Sequence, residues 1–288
     1  MMKIQWYPGH VAKARREIKS HLKEVDIVIE IIDARCILSS INFLSEEINN
    51  KKHLIVVNKV DLVDEKDLKK VDKDFISNAV GRDFDGEIIF IDSRNNNIKK
   101  IVDKKIDILC DEILEKNKTK GIKNVIFKAM VVGMPNVGKS TFINSYVKKK
   151  VNMVRNIPGV TKELKWTKIS DKLLLLDTPG VTLKKFDDNM GVNLALIGSI
   201  NDNIVEKQEL AFEFINKCYK KYSKNFIDRY KLKNVDENSS AIFVMDEIAR
   251  SRGFVKKNNI IDYERTSNLI INDFRDGSLG KINLEYDS

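Results

Sequence analysis

The residues best suited to chemistry are Gly133-Met134-Pro135-Asn136-Val137-Gly138-Lys139-Ser140, which fit G-x-x-x-x-G-K-[ST] in full. They follow a strand-like run at 125–132 and open a helical pattern that starts at Lys139, the context in which such a loop cradles phosphate. Glycines let backbone N–H groups crowd around a β-phosphate, and the helix N-terminus adds positive potential. Lys139 neutralises the β and γ oxygens, and the Ser140 hydroxyl is a ligand for Mg2+. Asn136, Val137, Gly138 and Thr141 complete the nucleotide-contacting loop. The bland alternative is a glycine-rich turn with an incidental lysine, and the matching flanks argue against it.

Asp177-Thr178-Pro179-Gly180 closes the apolar run 173–176, 38 residues beyond Lys139. Alone, this tetrapeptide is an ordinary turn. At that spacing it matches a switch element, in which Asp177 holds Mg2+ through water and Gly180 offers its N–H to a γ-phosphate. Between the two lies Pro158-Gly159-Val160-Thr161-Lys162, where the Thr161 hydroxyl is a third candidate magnesium ligand.

Asn58-Lys59-Val60-Asp61 follows another apolar run, 54–57. In N-K-x-D the carboxylate accepts from guanine N1–H and the 2-amino group, while the lysine packs along the base. Adenine lacks that donor pair, so the motif selects GTP and argues against a P-loop kinase or ATPase. Asp92-Ser93-Arg94, after the run 87–91, takes the place of the loop that backs the base. The order is unusual, because this base reader precedes the phosphate loop by 75 residues. The sequence is that of a circular permutation, which a fold tolerates when its original termini lie close together at the surface.

The elements that must position these motifs alternate. Apolar, β-branched runs at 25–32, 54–57, 87–91, 125–132 and 173–176 read as buried strands, and helical spacing recurs at 10–24, 101–114 and after Lys139. The expectation is an α/β fold: a mostly parallel sheet flanked by helices, a circularly permuted P-loop GTPase domain over residues 1–189. Its base-reading half spans 1–116, a connector 117–123, and its phosphate-loop and switch half 124–189. From 190 to 288 the patterns at 210–222, 240–252 and 262–274 are helical, which predicts a small all-helical second domain.

Composition bounds the partners. The 288 residues include 51 Lys+Arg and 42 Asp+Glu, a net charge of +9, with 42% hydrophobic content. That suits a globular protein and excludes a disordered chain. Residues 148–185, around the switch motifs, carry ten basic and three acidic side chains. With Lys13, Arg15, Arg16, Lys19 and the basic runs at 217–224 and 250–257, they point to RNA backbone contacts, although such surfaces also dock proteins. No apolar stretch is long enough for a membrane span. Three scattered cysteines suggest no disulfide framework, so a cytoplasmic, reducing location is expected.

Taken together, the chain resembles the circularly permuted GTPases, most closely the ribosome biogenesis GTPase A family. The resemblance spans nearly the whole chain. It rests on Ile4-Gln5-Trp6-Tyr7-Pro8-Gly9-His10 with Ala12-Lys13-Ala14-Arg15-Arg16, and on Asp33-Ala34-Arg35, N-K-V-D, G-M-P-N-V-G-K-S-T, P-G-V-T-K and D-T-P-G. It rests also on the closing Asp273-Phe274-Arg275 with Leu279-Gly280-Lys281. After Arg35 the chain departs from the family's usual proline and S-S-R-N-P, with Cys36-Ile37-Leu38 and Ser39-Ser40-Ile41-Asn42-Phe43 instead. Asp92 stands where the family often has asparagine.

The resemblance implies a GTPase that joins a late large-subunit ribosomal precursor, contacting ribosomal RNA and ribosomal proteins, with no DNA partner. It also implies that His10 is brought towards the γ-phosphate; an exposed or packed histidine is the alternative. Val181 follows the D-x-x-G glycine where many GTPases place a water-orienting glutamine, so slow intrinsic turnover, raised by a partner, is expected. An asparagine at position 136 in G-x-P-N-V-G-K-S often helps hold K+ beside the phosphates. The alternative function is an RNA- or ribosome-binding module that uses GTP structurally with negligible hydrolysis.

Overall fold

The computed structural model describes residues 16, 18–41, 51–95, 97–119, 125–147, 166–170, 172–178, 180 and 186–285. His10, Thr161, Val181 and most of the connector expected at 117–123 lie outside the described residues.

Six strands form one sheet: β1 (Ile27–Asp33), β2 (Lys52–Asn58), β3 (Glu87–Ile91), β4 (Phe127–Gly133), β5 (Trp166–Ser170) and β6 (Leu173–Asp177), in the spatial order β3-β2-β1-β4-β6-β5. All pairs are parallel except the edge pair β5–β6, which is antiparallel. The central strands read as unbroken apolar runs because helices cover both faces of a parallel sheet, and every residue of β1 is buried. The exceptions within β1 are its last residue, Asp33, and Glu30, whose carboxylate lies 3.2 Å from His53 Nε2 on β2. Strand β5 escapes the sequence pattern because it is a half-buried edge, W-T-K-I-S, with no apolar run to announce it.

The covering elements follow amphipathic spacing. Ile18 and Leu22 of the first helical segment pack with Val25, Val28, Met130, Val132 and Leu176. Helix α1 (Lys73–Val80) starts at Asp72, which accepts from the Phe75 N–H, and stops at Gly81 in the left-handed region. Helix α2 (Ile98–Thr119) buries Ile98, Val102, Ile106, Leu109 and Cys110 and packs against β2 and β3. Helix α3 (Lys139–Val147) leads out of the phosphate loop and buries Phe142 and Tyr146. The Tyr146 hydroxyl donates to Asp103 on α2 at 2.7 Å.

The described residues fall into two compact units. One holds those from 16 to 60 and from 65 to 180; the other holds Asp61–Asp64 and those from 186 to 285. The second unit is helical: α4 (Asp188–Leu196), α5 (Lys207–Tyr230), α6 (Ala241–Ser251) and α7 (Tyr263–Asp276). Among its described residues the only β pairing is a single antiparallel bridge, Val255 to Ile261. Asp187 and Asp262 cap α4 and α7, accepting from the amides of Met190 and Arg265. Helix α5 is kinked at Tyr222.

The Asp273-Phe274-Arg275 segment holds this unit together. Asp273 makes a two-pronged pair with Arg229 at 2.9 and 2.8 Å. Phe274 packs 4.8 Å, ring to ring, from Phe214. The Arg275 guanidinium donates to the last carbonyls of α4, Ala195 at 2.8 Å and Leu196 at 3.0 Å, and grips Asp202. It thus adds side-chain donors to a helix C-terminus whose Asn193, Leu194 and Ala195 carbonyls also accept from the Ile197, Ser199 and Gly198 amides. Phe274 is 2% exposed, so Phe274→Ala should destabilise the helical unit by about 3–5 kcal/mol. Urea unfolding followed by circular dichroism measures this; a midpoint equal to that of the unaltered chain contradicts the packing described.

Candidate nucleotide-binding site

Each motif stands at the carboxyl end of a strand. β2 ends in Asn58, β3 leads to Asp92, β4 ends in Gly133 and β6 in Asp177. Strand β1 pairs with β2 on one side and β4 on the other, so the chain runs outward through β2 and β3, then returns to the far side of β1. This is a topological switch point, where open α/β sheets bind ligands.

Asn58 connects the loop after β4 with the loop after β3. Its side-chain amide donates to the Val137 carbonyl in the phosphate loop at 2.8 Å. Its side-chain carbonyl accepts from the Ser93 N–H in the loop after β3 at 3.0 Å. Lys59, at φ 61, sends its ammonium to the Asn136 carbonyl at 2.7 Å and to Asp33 at 2.8 Å. Residues 75 or more apart in the chain thereby share one set of hydrogen bonds. Ser93 is buried, and its hydroxyl has no hydrogen-bond partner among the described residues.

Backbone geometry explains the glycines of the phosphate loop. A Cβ on Gly138, where φ is +102°, would fall 2.2 Å from Asn58 Nδ2. A Cβ on Gly180 would lie 2.6 Å from Lys139 Nζ and 3.0 Å from Pro135 backbone atoms, so Gly180 approaches the cradle closely. Thr178 pins that turn by donating to the Val131 carbonyl at 2.8 Å.

The charges respond to this crowding. Lys139 donates to the carbonyls of Gly133 and Met134 at 3.1 and 2.8 Å. Burial lowers its pKa to about 8, against the pull of Asp177. Desolvation raises the Asp177 carboxyl above its ordinary value, against the pull of Lys139. Asp92 is held below the usual carboxylate range, chiefly by hydrogen bonds from Arg94. The Ser140 hydroxyl, next in the chain to Lys139, and the Asp177 carboxylate, which interacts with Lys139, are hard oxygen donors of the kind magnesium takes. A carboxylate that desolvation disfavours gains from a nearby dication.

Asp61 stands in the one-turn 3-10 segment Val60–Leu62 that follows β2, and it is half-buried. Thr141 is exposed on α3. The structure thus brings together Asn58, Lys59, Ser93, Asn136, Val137, Gly138, Lys139 and Gly180.

Sequence reasoning quoted Asp33-Ala34-Arg35 only as part of a resemblance, and the structure gives it a role. Asp33 is fully buried and is held by Arg35 at 3.0 and 2.9 Å as well as by Lys59. Burial pushes its carboxyl up, but the Arg35 and Lys59 charges outweigh that and leave it well below the usual range. The available signal was an acidic residue at the end of a mostly apolar buried strand with a basic residue two positions on, since buried charges persist only when paired.

Fold and motifs together define a circularly permuted P-loop GTPase. A sequence-family profile described as "50S ribosome-binding GTPase" matches residues 128–272. Ribosome biogenesis GTPase A of Bacillus cereus is 37% identical over 99% of this chain and 94% of its own length. The probable ribosome biogenesis GTPase A of Mycoplasma genitalium is 33% identical over 98% and 97%. Among solved structures, GDP-bound TM YlqF matches with a TM-score of 0.65 at 25% identity, covering 94% of this chain and 98% of that one. GNP-bound YlqF from T. maritima gives 0.63 at 26%, over 95% and 97%. The chain belongs to the ribosome biogenesis GTPase A family, and it is a GTPase.

Gly138→Ala forces a side chain into the Asn58 amide and strains a positive φ. It should lower GTP affinity by about 100-fold, the scale of losing a buried, charge-linked contact, while the chain stays folded. Calorimetric titration with GTP measures this; unchanged affinity contradicts the closure of the loop on Asn58.

Proposed function

We propose that the chain hydrolyses GTP at a late stage of large ribosomal subunit assembly, and that the ribosomal particle stimulates the hydrolysis. The observation that carries the nucleotide part is Asn58 spanning the Val137 carbonyl and the Ser93 amide. This arrangement aligns a base pocket with a phosphate cradle. The particle and its stage of assembly are inferred from the resemblance and from the relatives' names.

In this reading Asp61 selects guanine, with Asp92 and Ser93 behind the base. Lys139 and the loop amides carry the phosphate charge, and Gly180 senses the γ-phosphate. Ser140, Thr161 and Asp177 (through water) hold Mg2+. When bound, that ion supplies charge that stabilises the phosphate oxygens during transfer. Asn136 is the candidate holder of K+, whose charge would stand in for an arginine finger.

Water positioning is the step the G domain leaves open. Val181 has no hydrogen-bonding side chain, so His10 is assigned that role once the particle is engaged. The domain from about residue 190, together with the basic segment 148–185, contacts ribosomal RNA. No helix among the described residues is long and apolar enough to cross a membrane, and the proposed location is the cytoplasm.

Single-turnover hydrolysis with and without large-subunit particles tests the proposal. The expected result is stimulation of at least about tenfold, a modest fraction of what partner-supplied groups achieve in related enzymes. His10→Ala should abolish the stimulation while GTP still binds. No stimulation, with the particle bound, favours the purely structural use of GTP; stimulation that survives His10→Ala removes His10 from catalysis. The same assay in potassium and sodium buffers should show faster turnover in potassium, and equal rates remove the K+ assignment. Particle binding should weaken steeply with salt, because phosphate contacts release counterions; a flat response contradicts RNA backbone contact.

A further inference from the structure

The guanine-reading motif ends in residues that belong to the helical unit. Asn58–Val60 go with the sheet, whereas Asp61–Asp64 cluster with the C-terminal helices. The Ile282 N–H donates to the Leu62 carbonyl at 3.1 Å. Ile282 and Val63 are each 1% exposed. Helix α7 ends at Gly277 in the left-handed region, and a Cβ there would fall 2.5 Å from Leu62 Cδ2.

The segment that reaches Leu62 is itself anchored. The Asn225 side-chain amide donates to the Leu279 carbonyl at 3.0 Å. The Tyr222 hydroxyl accepts from the Asn283 N–H at 3.1 Å and lies 3.3 Å from the Asn283 carbonyl, as its donor. Tyr222 is the residue at which α5 kinks. A continuous set of contacts therefore runs from the α5 kink through Asn283 and Ile282 to Leu62, the residue next to Asp61.

A single 3-10 turn has little stability of its own. A carboxylate that accepts two parallel hydrogen bonds depends on its orientation. We propose that the Ile282 backbone amide is a positioning group for Asp61, so that the C-terminal segment of the helical unit sets how well the site discriminates guanine. This rests on the reading of Asp61 as the guanine acceptor.

The test measures affinities of the full chain for GTP and for inosine triphosphate, which lacks the 2-amino group. A fault confined to Asp61 changes their ratio, whereas a general fault weakens both equally. Ile282→Pro removes the N–H and should shrink the GTP preference by about tenfold, a typical coupling between linked sites. Ile282→Val keeps the N–H and should leave the ratio unchanged. Asp61→Asn separates the two levels of the argument. A shift towards xanthosine triphosphate establishes base reading by Asp61, and an unchanged ratio in Ile282→Pro then overturns the positioning role alone. No shift in Asp61→Asn overturns base reading itself and the positioning role with it. If Ile282→Pro does not fold, hydrogen exchange of the Ile282 amide in the unaltered chain decides. GDP should slow that exchange, because linkage is reciprocal; an unchanged rate overturns the proposal.

Discussion

One side-chain amide does what the order of the chain cannot. Asn58 donates to the phosphate loop and accepts from the loop after β3, so three segments remote in sequence share one geometry. An amide suits this place because it offers a donor and an acceptor in a fixed plane. The close approach at Gly138 follows, since any side chain there would occupy the amide's own position. Lys59 adds a charged link between Asp33 and the Asn136 carbonyl. The permutation leaves this network intact because hydrogen bonds depend on where groups sit in space, and the strands that carry them still lie side by side.

Much of this was legible in the residues. The five apolar runs became five parallel strands; in the central ones burial on both faces removes the need for alternation, whereas the edge strand β3 leaves Phe90 exposed. The G-x-x-x-x-G-K-S and N-K-V-D segments announced themselves, since the chemistry of phosphate and guanine tolerates few residue types. What escaped notice depended on long-range contacts. Strand β5 is half-exposed, and its pairing with β6 settles its conformation more than its composition does. Helix α4 buries six of its nine residues and so shows little amphipathic contrast. The Asp33–Arg35 pair was visible as letters, but its purpose became clear only when Lys59 was seen to share it.

The helical unit shows how a short signature can be structural. Asp273, Phe274 and Arg275 are consecutive, so their side chains leave α7 in three directions. One meets Arg229, one enters the aromatic cluster and one caps α4. Three neighbouring residues thus tie α7 to α5 and α4. That explains why the segment reads as a motif although it sits among helices with few other distinguishing features.

The middle position of β1 has a consequence for how the protein is made. This strand emerges from the ribosome well before one of its two partners, β4, which begins a hundred residues after it. During synthesis the first three strands can assemble, but β1 presents an unpaired, apolar border until the later half arrives. A chain in the ordinary order would expose a different border for a different interval. Rearranging the gene has therefore changed the nascent polypeptide's period of vulnerability, and with it the demand on chaperones, while leaving the finished sheet the same.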